Sequence, residues 1–270
     1  QYAAPAAYAA PRPSCGCPYG TTDTSGNVLS STWVLWIGFA LLFIPAMWFL
    51  CYMFGDLTDD GVINGSNTDR TNMGLHRVVA GFICVFASLA YLTMATGHGY
   101  ITRCCDGRTF FYARYIDWTL TTPLMIWELS SLAREVADII ANQNGTAPTI
   151  TSLDMVFLIF MDLLMIISGL IGSLICGSSK WVFFGFSMLA FIPILAQLCS
   201  WDRTLQEMTT ALAELNLTNP TLGTTASSRV SNYRSAMNIT VITWFFYPVV
   251  WVLAEGTGTI SANAEAICYT

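Results

Sequence analysis

Lysine is nearly missing from this chain: Lys180 is the only one in 270 residues, beside two histidines. Charged residues make up 10% of the sequence, far below the roughly 25% of a soluble domain, and hydrophobic residues reach 54% against a usual share of roughly 45–50%. So few charges cannot clothe a soluble surface, and the composition is that of a membrane protein. A net charge of −6 and the lack of a basic stripe to neutralise phosphates argue mildly against nucleic acid as a partner. The nine cysteines lack the paired spacing of a zinc site, so no metal is expected. No nucleophile–base cluster stands out either, which argues against an enzyme. Residues 1–30, rich in Ala, Pro, Gly and Ser, lack the basic start and apolar core of a signal peptide and read as a flexible tail.

What the chain has instead is apolar runs, each near the roughly 20 residues that span a bilayer. They fall at 32–55, 75–101, 110–133, 153–176, from Lys180 through 201, and 235–254, with the start of a seventh from Ile260. The expected fold is therefore an all-α membrane bundle of seven helices over 31–270, following the tail. Between the runs, 134–152 reads as a polar loop and 202–229 as a long connection whose 203–217 portion forms a short surface helix. Trp33, Trp36 and Trp48 suit interface positions, and Pro193 predicts a kink in the fifth span. Glu255-Gly-Thr-Gly closes the sixth helix.

Alternating the loops places Arg70, Arg77, Arg134, Arg203, Arg229 and Arg234 on one side and Arg12, Arg103, Arg108 and Lys180 on the other. This modest bias favours an extracellular amino terminus. The sequons at Asn144 and Asn216 then face the cytoplasm and carry no sugar. Cys15, Cys17, Cys104 and Cys105 share the opposite side, where an oxidised pair and free thiols fit equally well. The cysteines inside apolar runs read as filler.

The third span is the unusual one, because Arg114, Asp117 and Glu128 lie within it, and a charge at the centre of a spanning helix costs roughly 2.5–3.5 kcal/mol on insertion scales. Eleven residues separate the two acids, which puts them on one helix face about 16 Å apart along the axis. Arg114, one turn from Asp117, favours an ionised acid there, whereas Glu128 has no cation near it in sequence and desolvation favours its protonated form. An ionised acceptor and a protonated donor on one line are what a vectorial proton relay requires. The plainer alternative is that all three simply pair with neighbouring helices. His98, alone near a helix end, reads as an interface residue rather than a relay. Trp244, Tyr247 and Trp251 form an aromatic stripe on the sixth span; with Trp118, Trp127 and Trp181 they either pack helices or line a slot for a flat apolar ligand.

Three motifs in order carry a resemblance. Arg-x-x-Asp-Trp-x-x-Thr-Thr-Pro-Leu at 114–124, Asp-x-x-Met-x-x-x-Gly-Leu-x-Gly at 162–172 and Trp-x-x-Tyr-Pro-Val-Val-Trp at 244–251 resemble the microbial (type 1) rhodopsins, nearest the bacteriorhodopsin-like proton pumps. The long loops point to a eukaryotic member. The resemblance implies all-trans retinal joined to a lysine as a protonated Schiff base and light-driven outward transport of protons across the lipid bilayer. It makes Asp117 the acceptor, Glu128 the cytoplasmic donor and Thr121 the middle member of an Asp-Thr-Glu set. Arg114 would face the exit, where Glu255 and Glu265 match the acidic pair of a proton-release group.

By the same resemblance Trp118, Thr122, Met125, Met165, Gly169, Trp181, Met188, Trp244, Tyr247 and Trp251 line retinal, and Thr122 bonds Asp162 between the third and fourth helices. Tyr91 matches a structural tyrosine, and Met125 matches green-absorbing relatives. A homo-oligomer is also implied. Two departures follow: Ala90 stands where many Asp-Thr-Glu pumps have a histidine paired with the acceptor, and Lys180 is on the wrong helix to hold retinal. The attachment lysine is thus expected just past Thr270, on a seventh helix that the sequence leaves incomplete. A light-gated ion channel is the alternative function, followed by a photosensor.

Overall fold

The structure is a computed structural model that describes residues 32–58, 67–103, 106–144, 150–207, 217 and 220–270. The expected tail and Cys15, Cys17, Cys104 and Cys105 lie outside these residues. Among the described residues the chain forms α1 (Thr32–Thr58), α2 (Asn67–Ala95), a two-stranded hairpin of β1 (Ile101–Thr102) and β2 (Thr109–Phe110), α3 (Tyr112–Asn144), α4 (Ser152–Leu174), α5 (Lys180–Glu207), α6 (Pro220–Trp251) continuing into a π-helical turn (Val252–Gly256), and α7 (Ala262–Tyr269). This is an integral, multi-pass, all-α membrane bundle.

Spans in α1, α2, α4, α5 and α6 are long and apolar enough to cross a bilayer, with mean hydropathy from 2.4 in α4 down to 1.6 in α6. Their outward faces present large apolar groups such as Ile44, Leu153, Leu189 and Phe246, which a lipid environment accommodates and water would not. α3 carries too much charge to stand on the lipid side, and the fold puts it in the middle: it packs against α2, α4, α5 and α6. α1 packs chiefly on α2, and α7 touches α1 and α6.

Sequence reasoning set three helices too short. The segment expected as a loop at 134–152 is helical through Asn144, α5 continues through Glu207 instead of handing over to a surface helix at 203, and α6 begins at Pro220 rather than near 235. The cause is one buried stripe repeated on three helices. Ile126, Leu129, Ala133 and Val136 on α3, Phe191, Ile194, Leu198, Trp201 and Leu205 on α5, and Val230, Tyr233, Met237 and Trp244 on α6 follow i, i+3, i+7 spacing and form one cluster with Leu158 of α4. Burying each large apolar side chain contributes about 1.5–3 kcal/mol, enough to carry the helices past charged residues such as Arg134, Glu135 and Asp202.

The second span ends early. α2 stops at Ala95, before the glycines Gly97 and Gly99, both at positive φ, and Ile101 pairs with Phe110 in the hairpin rather than continuing a helix to 101. Local capping sets the other boundaries. Thr151 and Asp154 form a reciprocal capping box at the start of α4, and the Ser261 hydroxyl accepts from the Ala264 amide at the start of α7.

Alternation of the helices gives the bundle two ends. Arg103, Arg108 and Lys180 stand at the end carrying the hairpin; Arg77, Arg134, Arg203, Arg229 and Arg234 stand at the other, called here the His76 end. Asn144 closes α3 at the His76 end, and Asn216 lies outside the described residues. Cys176, read from sequence as apolar filler, is disulfide-bonded.

Candidate functional site

Between the helices lies a cavity of about 390 Å³. Its floor comes from α3, through Trp118, Thr121, Thr122 and Met125; α4 adds Met165 and Gly169, α5 adds Met188, and α6 adds Trp244, Tyr247 and Trp251. The rings are mutually braced. Trp118 meets Tyr247 edge-on at 5.1 Å and Tyr269 at 5.5 Å, while Tyr247 and Tyr269 stack at 5.4 Å. Trp251 is held by its indole N–H, which donates to the Ser173 hydroxyl at 2.7 Å. That hydroxyl donates its own proton to the Gly169 carbonyl at 3.0 Å, so the Tyr115 O–H, 2.7 Å away, must donate to it as well.

Two expected lining residues stand one layer out. Trp181 packs edge-on against Trp251 at 6.0 Å and fills the space where a Cβ on Gly256 would approach within 2.7 Å; Phe184, nearly one turn on, forms the wall instead and stacks on Trp251 at 4.8 Å. Asp162 is fully buried beside the cavity and reaches it through Thr122, whose hydroxyl donates to its carboxylate at 2.6 Å. Residues that sequence reasoning missed include Phe184, Phe191 and Tyr269, all within apolar runs that give no local signal. Tyr91 also lines the cavity, donates its hydroxyl proton to the Tyr269 carbonyl, and packs so closely on α1 that a Cβ at Gly38 would fall 2.5 Å from its ring.

Asp117 sits buried in the cavity wall. Its Oδ1 has no hydrogen-bond partner among the described residues, and the Thr121 hydroxyl donates to its backbone carbonyl at 2.9 Å. Arg114 does not serve it as sequence spacing proposed. Its Nη1 donates to Glu265 Oε1 at 2.8 Å, and its guanidinium lies over the rings of Phe111 and Tyr269 at 4.5 and 4.6 Å. The acid that arrives from α7 takes the arginine, which a one-dimensional reading of α3 could not foresee.

At the hairpin end three arginines surround the acidic pair. Arg103 reaches Glu255 at 2.5 Å and Asp106 at 2.6 Å. Arg108 bridges the two glutamates, at 3.6 Å from Glu255 and 2.6 Å from Glu265. Arg103 also donates to the Ser173 carbonyl at 2.5 Å, tying the hairpin to the network under Trp251. Both oxygens of Glu255 lack a hydrogen-bond donor among the described residues, although they lie at ion-pair distance. Lys180 Nζ donates to the Glu255 carbonyl at 2.8 Å and lies outside the cavity wall. His98 is exposed at the turn after α2.

At the opposite end Glu128 has the cation that its sequence neighbours withheld. His76 of α2 approaches Glu128 Oε1 through Nδ1 at 2.7 Å and Glu135 Oε1 through Nε2 at 2.9 Å. Glu135 also pairs with Arg229 of α6. Glu128 Oε2 is buried without a hydrogen-bond partner among the described residues.

The fold and site define a multi-span membrane protein with an aromatic ligand cavity and a buried carboxylate in its wall. The family described as "Bacteriorhodopsin-like protein" matches residues 29–270, and the chain belongs to it; it is a microbial rhodopsin. It is 30% identical over 216 residues to the opsin-like protein carO of Fusarium fujikuroi, covering 76% of this chain and 60% of that protein's length. It is 27% identical over 241 residues to bacteriorhodopsin of Halobacterium halobium, covering 86% of this chain and 94% of that one. Among solved structures it is similar to the light-driven proton pump rhodopsin of Coccomyxa subellipsoidea, with TM-score 0.62, 26% identity and 88% of each chain covered.

Members of this family bind retinal as chromophore. The cavity fits that group on two counts: flat aromatic walls suit an elongated apolar molecule, and the orphaned Oδ1 of Asp117 requires a positive or proton-donating partner from within the cavity.

Proposed function

We propose that the chain is the membrane bundle of a light-driven outward proton pump, with Asp117 as proton acceptor and Glu128 as donor. The observation that carries this reading is the division of labour along α3: Asp117 stands in the cavity wall with one oxygen unpaired, while Glu128 lies outside the cavity toward the far end of the same helix. Retinal in the cavity, joined to a lysine as a protonated Schiff base, would supply a light-driven change of shape and a dissociable proton on its cationic nitrogen. Asp117 accepts a proton at the cavity, Thr121 braces the backbone beneath it, and the Thr122–Asp162 bond couples α3 to α4. Glu128 resupplies a proton from its own side. The hairpin end is the extracellular exit, with Arg114, Glu255 and Glu265 on the path, and the His76 end is cytoplasmic, consistent with its larger share of arginines. Moving one charge against 100 mV costs about 2.3 kcal/mol, a load well below the energy of a visible photon.

Illuminating cells that express the complete protein tests the assignment. Acidification of the medium that an uncoupler abolishes is the expected result, with loss of transport in Asp117→Asn. A photocurrent that reverses with the ion gradient would instead identify a channel, and a photocycle without transport a photosensor.

A further inference from the structure

The imidazole of His76 is gripped by a carboxylate at each ring nitrogen, an arrangement that the acceptor–donor reading does not use. Glu128 and Glu135 are seven residues apart on α3, so they face the same way about two turns, or roughly 10.5 Å, from each other. That gap is too long for a direct hydrogen bond and is bridged by one imidazole, with contacts of 2.7 and 2.9 Å. Trp127 packs beside the ring at 6.0 Å, and Glu135 is anchored on its other oxygen by Arg229. The side chains of Glu128 and Glu135 are 23% and 16% exposed, and His76 stands at the start of the apolar span of α2, which begins at Leu75.

We propose that His76 is the proton-uptake relay of this protein, passing protons from water at the bundle edge to Glu128 while Glu135 holds the ring in place. This rests on the assignment of Glu128 as donor. Between the two carboxylates the resting ring is an imidazolium. When Glu128 has given up its proton, its Oε1 takes the proton from His76 Nδ1: one N–H bond breaks, one O–H bond forms, and the ring becomes neutral with its Nε2–H still on the Glu135 carboxylate. Water at the bundle edge then returns a proton to Nδ1 and restores the imidazolium.

Histidine is the side chain suited to this step, because both nitrogens exchange protons near neutral pH, whereas a lysine or arginine in the same place would offer only donors. The other charged groups around the site belong to different tasks. Arg77, next on α2, points to the Tyr52 ring of α1 at 6.0 Å, and on α6 Arg234 pairs with Asp202 of α5. Arg229 supplies the fixed positive charge that holds Glu135 in place.

The test follows proton uptake after a flash in inside-out vesicles containing the retinal-loaded protein, with a pH-sensitive dye outside, for wild type, His76→Gln and Glu135→Gln. Glutamine keeps the reach and hydrogen bonding of histidine but cannot relay. Uptake in His76→Gln is expected to slow by about a hundredfold, within the 10²–10⁴ range of a positioned acid–base group, and to fall about tenfold per pH unit as protons must come directly from water. Added imidazole is expected to restore it, and Glu135→Gln to slow uptake to a smaller degree. Proton release on the opposite face remains unchanged in both variants, which separates this proposal from the pump assignment: loss of release in wild type would sink the pump, not the relay alone. Uptake in His76→Gln at the wild-type rate and pH profile would overturn the relay. Should that variant fail to assemble, solid-state ¹⁵N NMR of His76 in the wild type decides: a transient loss of the Nδ1 proton under illumination supports the relay, and an unchanged ring refutes it.

Discussion

The two ends of α3 are built from the same kinds of group and do opposite things with them. At the hairpin end Arg103, Arg108 and Arg114 meet Glu255, Glu265 and Asp106 in a cluster in which Arg108 joins the two glutamates. Guanidinium groups do not exchange protons in proteins, so these bases can orient and neutralise but cannot relay. At the His76 end the base between two carboxylates is an imidazole, which can. One end is a lock on the hairpin, α6 and α7; the other is a place where protons can change hands. The comparison teaches that the kind of base beside an acid matters as much as the acid.

The largest effect expected from breaking this arrangement is on transport between the two ends. Asp117→Asn should lower light-driven acidification by about a hundredfold or more, because the proposed acceptor is removed while both clusters stay intact; medium pH under illumination reads it. Next comes the lock itself. Arg108→Ala removes the partner that Glu255 and Glu265 share while Arg103 and Arg114 still hold one each, and should cost about 1.5–3 kcal/mol, seen as a drop in the thermal midpoint of helical circular dichroism. An equal loss is not expected from His76→Gln, which should leave that midpoint nearly unchanged while slowing proton uptake; a large stability loss there would make the two ends alike.

Leu205→Ala tests the shared stripe that extends the helices at the His76 end. Burial of this side chain is complete, so the change should cost about 2–5 kcal/mol by the same melt, with proton release unaffected. The smallest effect is reserved for the pair of half-exposed Arg234 with Asp202, 3.0 Å apart at the bundle surface, where Arg234→Ala should change stability by about 1 kcal/mol and by less in high salt.

Much of the bundle was legible in the chain because lipid imposes simple demands: runs of apolar residues near bilayer length, with ionisable residues concentrated on a central helix. The aromatic and acidic motifs identified Asp117, Glu128 and most of the cavity wall. The extensions of α3, α5 and α6 were also written in the sequence, as an i, i+3, i+7 stripe, but Arg134, Glu135 and Asp202 beside it gave the appearance of loops. The hairpin was hidden because two-residue strands carry no periodic signal.

By itself, then, the sequence determined the class of protein, the helix that carries the ionisable groups and the order of those groups along it, since each follows from composition or from spacing on one helix. Tertiary structure alone decided their partners. Arg114 turns to Glu265 rather than Asp117, Trp181 stands behind Trp251, and His76 closes on Glu128 and Glu135, because each of these contacts joins helices far apart in the chain. Pairing of that kind depends on which faces meet when the bundle packs, and no local pattern of residues encodes it.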